Sequence, residues 1–157
     1  KYKSATNTNM DYSENRKAFF DFIILEKFET GISLEGQEVK AIKTGKAIIA
    51  GSFVKILNNE AYLVGATISP YQPKNIHKES DSQKTRKLLL TKKEINYLAG
   101  KTNEKGLTLI PLKFFGKNGK IKLQIALAKH KKKSDKRETI KEREEQRKIQ
   151  KELKQWG

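Results

Sequence analysis

Residues 107–128 carry the most restrictive pattern in the chain: two apolar runs, 107–115 and 121–128, separated by Gly116-Lys117-Asn118-Gly119. In the second run Ile121, Leu123, Ile125 and Leu127 recur at every second position, with Lys122 and Gln124 between them. Successive side chains of an extended strand point to opposite faces, so this alternation predicts a strand with one buried and one wet face. The Gly- and Asn-rich break makes the two runs a hairpin. Runs 52–57 and 62–68 flank Asn58-Asn59 and predict a second hairpin, while the Phe- and Ile-dense stretch 19–29 stops at Gly31. Five strands at this spacing leave no room for the crossover helices of a parallel sheet. They favour a closed or partly open antiparallel barrel of the oligonucleotide-binding (OB) type.

Helices can be placed around those strands. Thr91 and Glu94 have capping-box spacing, Leu90 and Ile95 stand at hydrophobic-staple positions, and Ile95, Leu98 and Ala99 form an apolar stripe. This helix is expected to end at Gly100, a residue suited to the left-handed C-terminal position. A second helix is expected within 34–43, where Val39 and Ile42 fit helical spacing although Val39 and Ala41 also fit a strand.

The charge balance narrows the function classes. Of 157 residues, 34 are Lys or Arg and 18 are Asp or Glu, a formal net charge of +16. With no cysteine there is no disulfide framework, thiolate nucleophile or Cys-ligated metal, and two isolated histidines build no transition-metal site. No apolar run approaches the roughly 18 residues of a membrane span, and the polar start from Lys1 to Asn15 lacks an apolar leader core, so a cytoplasmic protein with no membrane contact is expected. His77, Ser80 and Asp81 lie close together in a polar loop, but a catalytic triad is defined by geometry and nothing nearby resembles a nucleophile elbow. Gly116-Lys117-Asn118-Gly119 lacks the Lys-Ser/Thr pair of a phosphate-binding loop. Glu26, Glu29, Glu35 and Glu38, set among so many lysines, read as charge partners. No catalytic residue, cofactor or metal is expected.

Three segments follow: a flexible N-terminal stretch over 1–14, a barrel over 15–128 and a basic tail over 129–157. The tail holds 12 Lys and Arg against 6 Asp and Glu, and its only bulky apolar residues are Ile140, Ile149, Leu153 and Trp156. It cannot build a core of its own. Five cations, Lys131, Lys132, Lys133, Lys136 and Arg137, fall within seven residues and repel one another unless phosphates neutralise them and release counterions. Beyond them, Glu138 to Lys141 and Glu144 to Lys148 are helix-supporting pairs, and Ile149, Leu153 and Trp156 recur at helical spacing. Each such pair is worth only about 0.2–0.5 kcal/mol, which predicts a latent helix that orders on a partner surface.

Particular strings add what composition does not supply. Asn15-Arg16-Lys17-Ala18, Phe28-Glu29-Thr30-Gly31-Ile32, Gly36-Gln37-Glu38-Val39-Lys40 and Ile68-Ser69-Pro70-Tyr71 come first. Thr85-Arg86-Lys87-Leu88-Leu89-Leu90, Lys105-Gly106-Leu107-Thr108 with Pro111, Lys131-Lys132, Asp135-Lys136-Arg137 and Lys141-Glu142-Arg143 follow. In this order and spacing the chain closely resembles the bacterial SsrA-binding (SmpB) family, partners of transfer-messenger RNA (tmRNA), from Asn15 to about Arg143. The resemblance implies a mainly β fold with α: an OB-fold-like antiparallel barrel with about three flanking helices, and a tail that folds to a helix on the ribosome. It implies a monomeric binding factor that holds the tRNA-like domain of tmRNA and delivers it to stalled ribosomes for trans-translation. The tail would probe the decoding centre and the empty mRNA channel. Elongation factor Tu with alanyl-tmRNA is a further candidate partner, with direct contact left open.

Residue by residue, Glu29, Leu89 and Lys122 match positions this family uses for the tRNA-like domain, although Leu89 also suits a core and Glu29 an internal charge partner. Arg16, Lys17, Lys40, Arg86 and Lys87 are added on physical grounds, as cations near a barrel face that can meet phosphates. Lys131, Lys132, Asp135, Lys136 and Arg137 match the decoding-centre motif, with Asp135 expected to orient its cationic neighbours. Lys141 and Arg143 extend it. His130 stands where the family usually has Gly, and Ser134 where it has an aromatic ring that can stack on a base for about 1–3 kcal/mol. His130 or the extra Lys133 is therefore expected to compensate. The competing readings are a structural ribosomal or RNA-packaging protein and, further off, an RNA-processing enzyme.

Overall fold

A computed structural model describes residues 10–69 and 82–156. Its elements run β1 (Met10–Glu14), α1 (Arg16–Asp21), β2 (Phe22–Ile32), α2 (Gly36–Lys43), β3 (Ala47–Ile48), β4 (Phe53–Leu57) and β5 (Glu60–Val64). After these come β6 (Thr67–Ile68), β7 (Arg86–Leu89), α3 (Lys92–Thr102), β8 (Leu107–Lys117), β9 (Lys120–His130) and α4 (Lys133–Trp156). His77, Ser80 and Asp81 lie outside the described residues.

Every pairing among these strands is antiparallel, in the order β1-β8-β4-β5-β7-β2-β9, and β9 returns to β8 to close the barrel. Both expected hairpins form. Asn58 and Asn59 adopt φ of 51° and 61°, and Asn118 and Gly119 adopt 52° and 77°, the left-handed pair that matches strand twist in a two-residue turn. The second turn is therefore tighter than the four residues read from sequence. Ile121, Leu123, Ile125 and Leu127 on β9 point into the barrel, where they meet Leu63, Leu109, Phe114 and Leu98. Ala126 and Ala128, on the opposite face of β9, form a second cluster with Ala18, Ile110 and Leu112. Small side chains there let α1 lie close against the barrel wall.

Several expectations are corrected. Among the described residues there are nine strands, not five. The extra ones are short, and part of the supposedly flexible 1–14 segment is a strand, because β1 pairs with the β8 edge from Lys113 to Gly116. The 19–29 run divides into helix α1 and strand β2. Helix α3 begins as expected, with Thr91 and Glu94 satisfying each other's backbone N–H groups, but it runs through Gly100 to Thr102. Thr102 Oγ1 donates to the carbonyls of Leu98 and Ala99, extending the last turn past the glycine. The barrel reaches His130 rather than Ala128, and helix α4 occupies most of the tail.

Arg86 changes role altogether. Its side chain is 1% exposed and donates from Nε to Glu38 Oε2 at 2.6 Å, from Nη1 to the carbonyls of Ala66 and Lys84, and from Nη2 to that of Ser82. It ties α2 to β7 and to the segment before it, and it is lost to the surface as an RNA-facing cation. Burial pushes the Glu38 carboxyl up, but the Glu35 backbone N–H, the Arg86 hydrogen bond and the charges of Arg86 and Lys84 outweigh this and hold it below the usual range. Removing one partner of such a pair strands the other charge, so we expect Arg86→Met to lose about 3–5 kcal/mol in urea unfolding, and a loss below about 1 kcal/mol would contradict the assignment. Because the folded pKa of Glu38 is depressed, its contribution should be complete above the ordinary value of 4.5 and fade only as pH falls through the lower folded value. Wild type should accordingly lose more stability than Glu38→Gln on acidification below pH 4.5, in paired melts.

Candidate nucleic-acid interface

Gly31 on β2 pairs with Leu89 of β7 on one side and with Lys122 of β9 on the other, so one backbone position gathers residues from three strands. A Cβ added at Gly31 would meet Leu89 Cβ at 3.2 Å and Cδ1 at 3.3 Å, and this close approach explains the glycine. Thr30 is buried, and its hydroxyl donates to the carbonyls of Gly31 (2.9 Å) and Leu89 (3.2 Å), pinning both chains. Leu89 is left 57% exposed, well beyond what a core leucine shows. Gly31, Leu89 and Lys122 line a groove of about 380 Å³, together with Val39 from α2 and Lys120 at the start of β9.

Glu29 lies two residues before Gly31, on the same face of β2. Its carboxylate accepts from Lys117 Nζ at 2.9 and 3.2 Å while remaining partly in water. Lys117 is bound to it, and Lys120 and Lys122 line the neighbouring groove, so an acceptor stands beside a group of cations. That combination suits RNA, since lysines can meet phosphates while the carboxylate accepts from a base amine or a 2′-hydroxyl. Lys117 and Lys120 were missed in the sequence reading, although the tight turn at Asn118-Gly119 was the signal that brings them to this end of β9.

The remaining cations do not all converge on the groove. Lys40 lies exposed on α2, one residue after the groove-lining Val39. Lys87 pairs with Glu60 at 3.1 Å on the wall formed by β5 and β7. Hydrogen bonds from Tyr62 and Lys87, with the Lys87 charge, hold the Glu60 carboxyl below its ordinary range, and the same Glu60 contact pushes the Tyr62 hydroxyl up. Arg16 and Lys17 are exposed on α1, next to the Phe22 end of β2. Nine residues of extended chain separate Phe22 from Gly31, about 30 Å, so these two cations belong to a different region from Leu89 and Lys122.

That region is the root of the tail. His130 does not project freely: its ring lies 4.3 Å from that of Phe22, tilted by 39°. Lys131 donates from its backbone N–H to Asp21 O at 2.9 Å and from Nζ to Phe19 O and Thr139 Oγ1. Asp135, expected to orient cations, instead accepts from the backbone N–H of Lys132 and caps the first turn of α4. Lys136 pairs with Asp21 at 3.4 Å, and both Lys136 and Arg143 stand over the Phe20 ring. Lys132, Lys133, Ser134, Arg137 and Lys141 are exposed. Past Arg143 every side chain as far as residue 155 is exposed, so this length of the helix is wet on all sides.

Known proteins resemble this chain over most of its length. The family model described as SmpB protein matches residues 12–155. An SsrA-binding protein of Ralstonia pickettii is 49% identical over 138 residues, covering 88% of this chain and 93% of the relative. Another, of Gloeothece citriformis, is 45% identical over 144 residues, covering 92% and 93%. A solved chain described as "tmRNA-SmpB: a journey to the center of the bacterial ribosome" superposes with a TM-score of 0.65 at 40% identity, covering 83% of this chain and 95% of that one. No helix among the described residues is long and apolar enough to cross a membrane. With the match extending from Tyr12 in β1 through nearly all of α4, the chain belongs to the SmpB protein family.

Proposed function

We propose that this chain binds the tRNA-like domain of tmRNA and delivers it to stalled ribosomes, where trans-translation begins. The observation that carries this reading is the convergence of Gly31, Leu89 and Lys122 on one groove with Glu29 beside it. It acts by binding alone, as a cytoplasmic monomer, with Lys117 and Lys120 joining Glu29, Leu89 and Lys122 against the RNA. Lys40 and Lys87 extend that surface along α2 and β7. The exposed tail cations Lys132, Lys133, Arg137 and Lys141 face ribosomal RNA in the decoding centre and mRNA channel.

The direct test is to purify the tagged protein from its own cells at moderate salt and sequence the RNA retained. One dominant RNA with a tRNA-like acceptor end supports the reading, whereas ribosomal RNA alone in stoichiometric amount would make the protein a ribosomal component. Leu89→Ala should weaken tmRNA binding about tenfold, a loss of about 1.4 kcal/mol, yet change thermal stability little because the side chain is already in water. Gly31→Ala should weaken binding comparably by pushing Leu89 aside, as measured by filter binding. For about eight phosphate contacts, log K should fall with log salt at a slope of roughly −7, and Lys122→Ala should reduce that slope by about one. Ending the chain after His130 should leave the slope intact and abolish peptide tagging; a collapsed slope would move the tmRNA site into the tail.

A further inference from the structure

Lys87 and Leu89 share the outer face of β7, and that face continues across two further strands. Tyr62 of β5 pairs with Lys87 on one side and with Lys55 of β4 on the other, so Lys55, Tyr62 and Lys87 form a row across three strands. Their chain neighbours Val54, Leu63 and Leu88 are buried in the barrel core, which leaves the row on the opposite, outer side. The Tyr62 hydroxyl donates to Glu60 Oε2 while Lys87 Nζ donates to Glu60 Oε1 at 3.1 Å, so one carboxylate positions both a ring and an ammonium group. Leu89 stands two residues beyond Lys87, diagonal to Tyr62, a separation of about 7–8 Å. The row therefore runs directly into the groove at Gly31 and Leu89.

An aromatic ring between two cations on an open sheet face suits single-stranded RNA, because a base can stack on the ring while the ammonium groups meet its phosphates. Lys55 and Lys87 lie two strand spacings apart, about 10 Å, one on each side of the ring. Because the ring is already anchored to Glu60, stacking on it costs little further freedom. Phe53 and Leu57, 43% and 48% exposed on the same face of β4, make a protein the alternative occupant. The centre of a protein interface is depleted of lysine, however, whereas here lysines flank the middle of the patch. We propose that Tyr62 is a stacking platform for an unpaired base of the bound tRNA-like domain, with Lys55 and Lys87 receiving the adjoining phosphates, so that the RNA surface extends from the Leu89 groove across β7 and β5. The inference rests on the tmRNA-binding reading and deepens it by one nucleobase contact.

The test uses the full chain and a transcript of the tRNA-like domain of tmRNA. Tyr62→Leu, which keeps apolar bulk and removes the ring, should weaken binding about tenfold with the salt slope unchanged, because no cation is lost. Tyr62→Trp should keep the parent affinity, and Lys55→Ala should reduce the slope by about one. The chain has one tryptophan, Trp156, so Tyr62→Trp combined with Trp156→Phe places the single indole on the platform, and its emission should fall as the transcript binds. That signal stands whether or not Tyr62→Leu folds. A folded Tyr62→Leu variant that binds as tightly as the parent, or an emission unmoved by saturating transcript, would overturn the proposal, and a protein occupant would give both results. A parent chain that fails to bind the transcript would overturn the function reading as well, so the two failures are distinct.

Discussion

Strand β9 is hydrogen-bonded along both edges, to Phe22–Gly31 of β2 on one side and to Leu107–Lys117 of β8 on the other, and the remainder of the molecule takes its position from that double ladder. Its inward residues close the barrel core and its outward alanines hold α1. Slipping either register by one residue would turn Leu123 and Ile125 to water and Lys122 and Gln124 into the core, so the alternation fixes the pairing. Two bulges accommodate the fit. The register shift around Leu112 lies where that side chain joins the cluster under α1, and the shift around Leu25 lies where β2 bends past it.

The same ladder separates two functions. At its Lys122 end lies the groove with Gly31 and Leu89; at its His130 end lies the root of α4. Eight residues of strand set these about 27 Å apart, so the barrel acts as a spacer between the surface proposed for tmRNA and the helix proposed for the ribosome. Charge follows the division. Glu29 and Glu60 engage lysines around the barrel, while Asp21 alone of the carboxylates near the tail root takes a tail cation among the described residues.

Much of this was legible in the sequence where a pattern had one physical solution. The period-2 run on β9 and the Thr91–Glu94 capping box are of that kind, and both formed as expected. The strand β3 was not legible, nor that Thr67–Ile68 leaves the expected 62–68 run to pair with it as β6, because two residues carry no periodicity and are strands only by virtue of each other. Arg86 shows a different failure. Along Arg86-Lys87-Leu88-Leu89 the buried residues are the first and third, so the arginine shares its face with Leu88 and the exposed leucine shares its face with Lys87. Composition favours an exposed arginine and a buried leucine at such positions. The Glu38 carboxylate, brought close by α2, and the carbonyls of Ala66, Lys84 and Ser82 make the reverse arrangement favourable.

Helix α4 has 24 residues, about 36 Å of length, and past Arg143 its side chains stand in water as far as residue 155. It is a lever whose fulcrum is three residues of α1. A tilt of about 10° at the root carries the far end sideways by about 6 Å, roughly the rise of one helical turn. A small change of angle at the root is therefore magnified along the arm, while the same change near Leu153 moves only the tip.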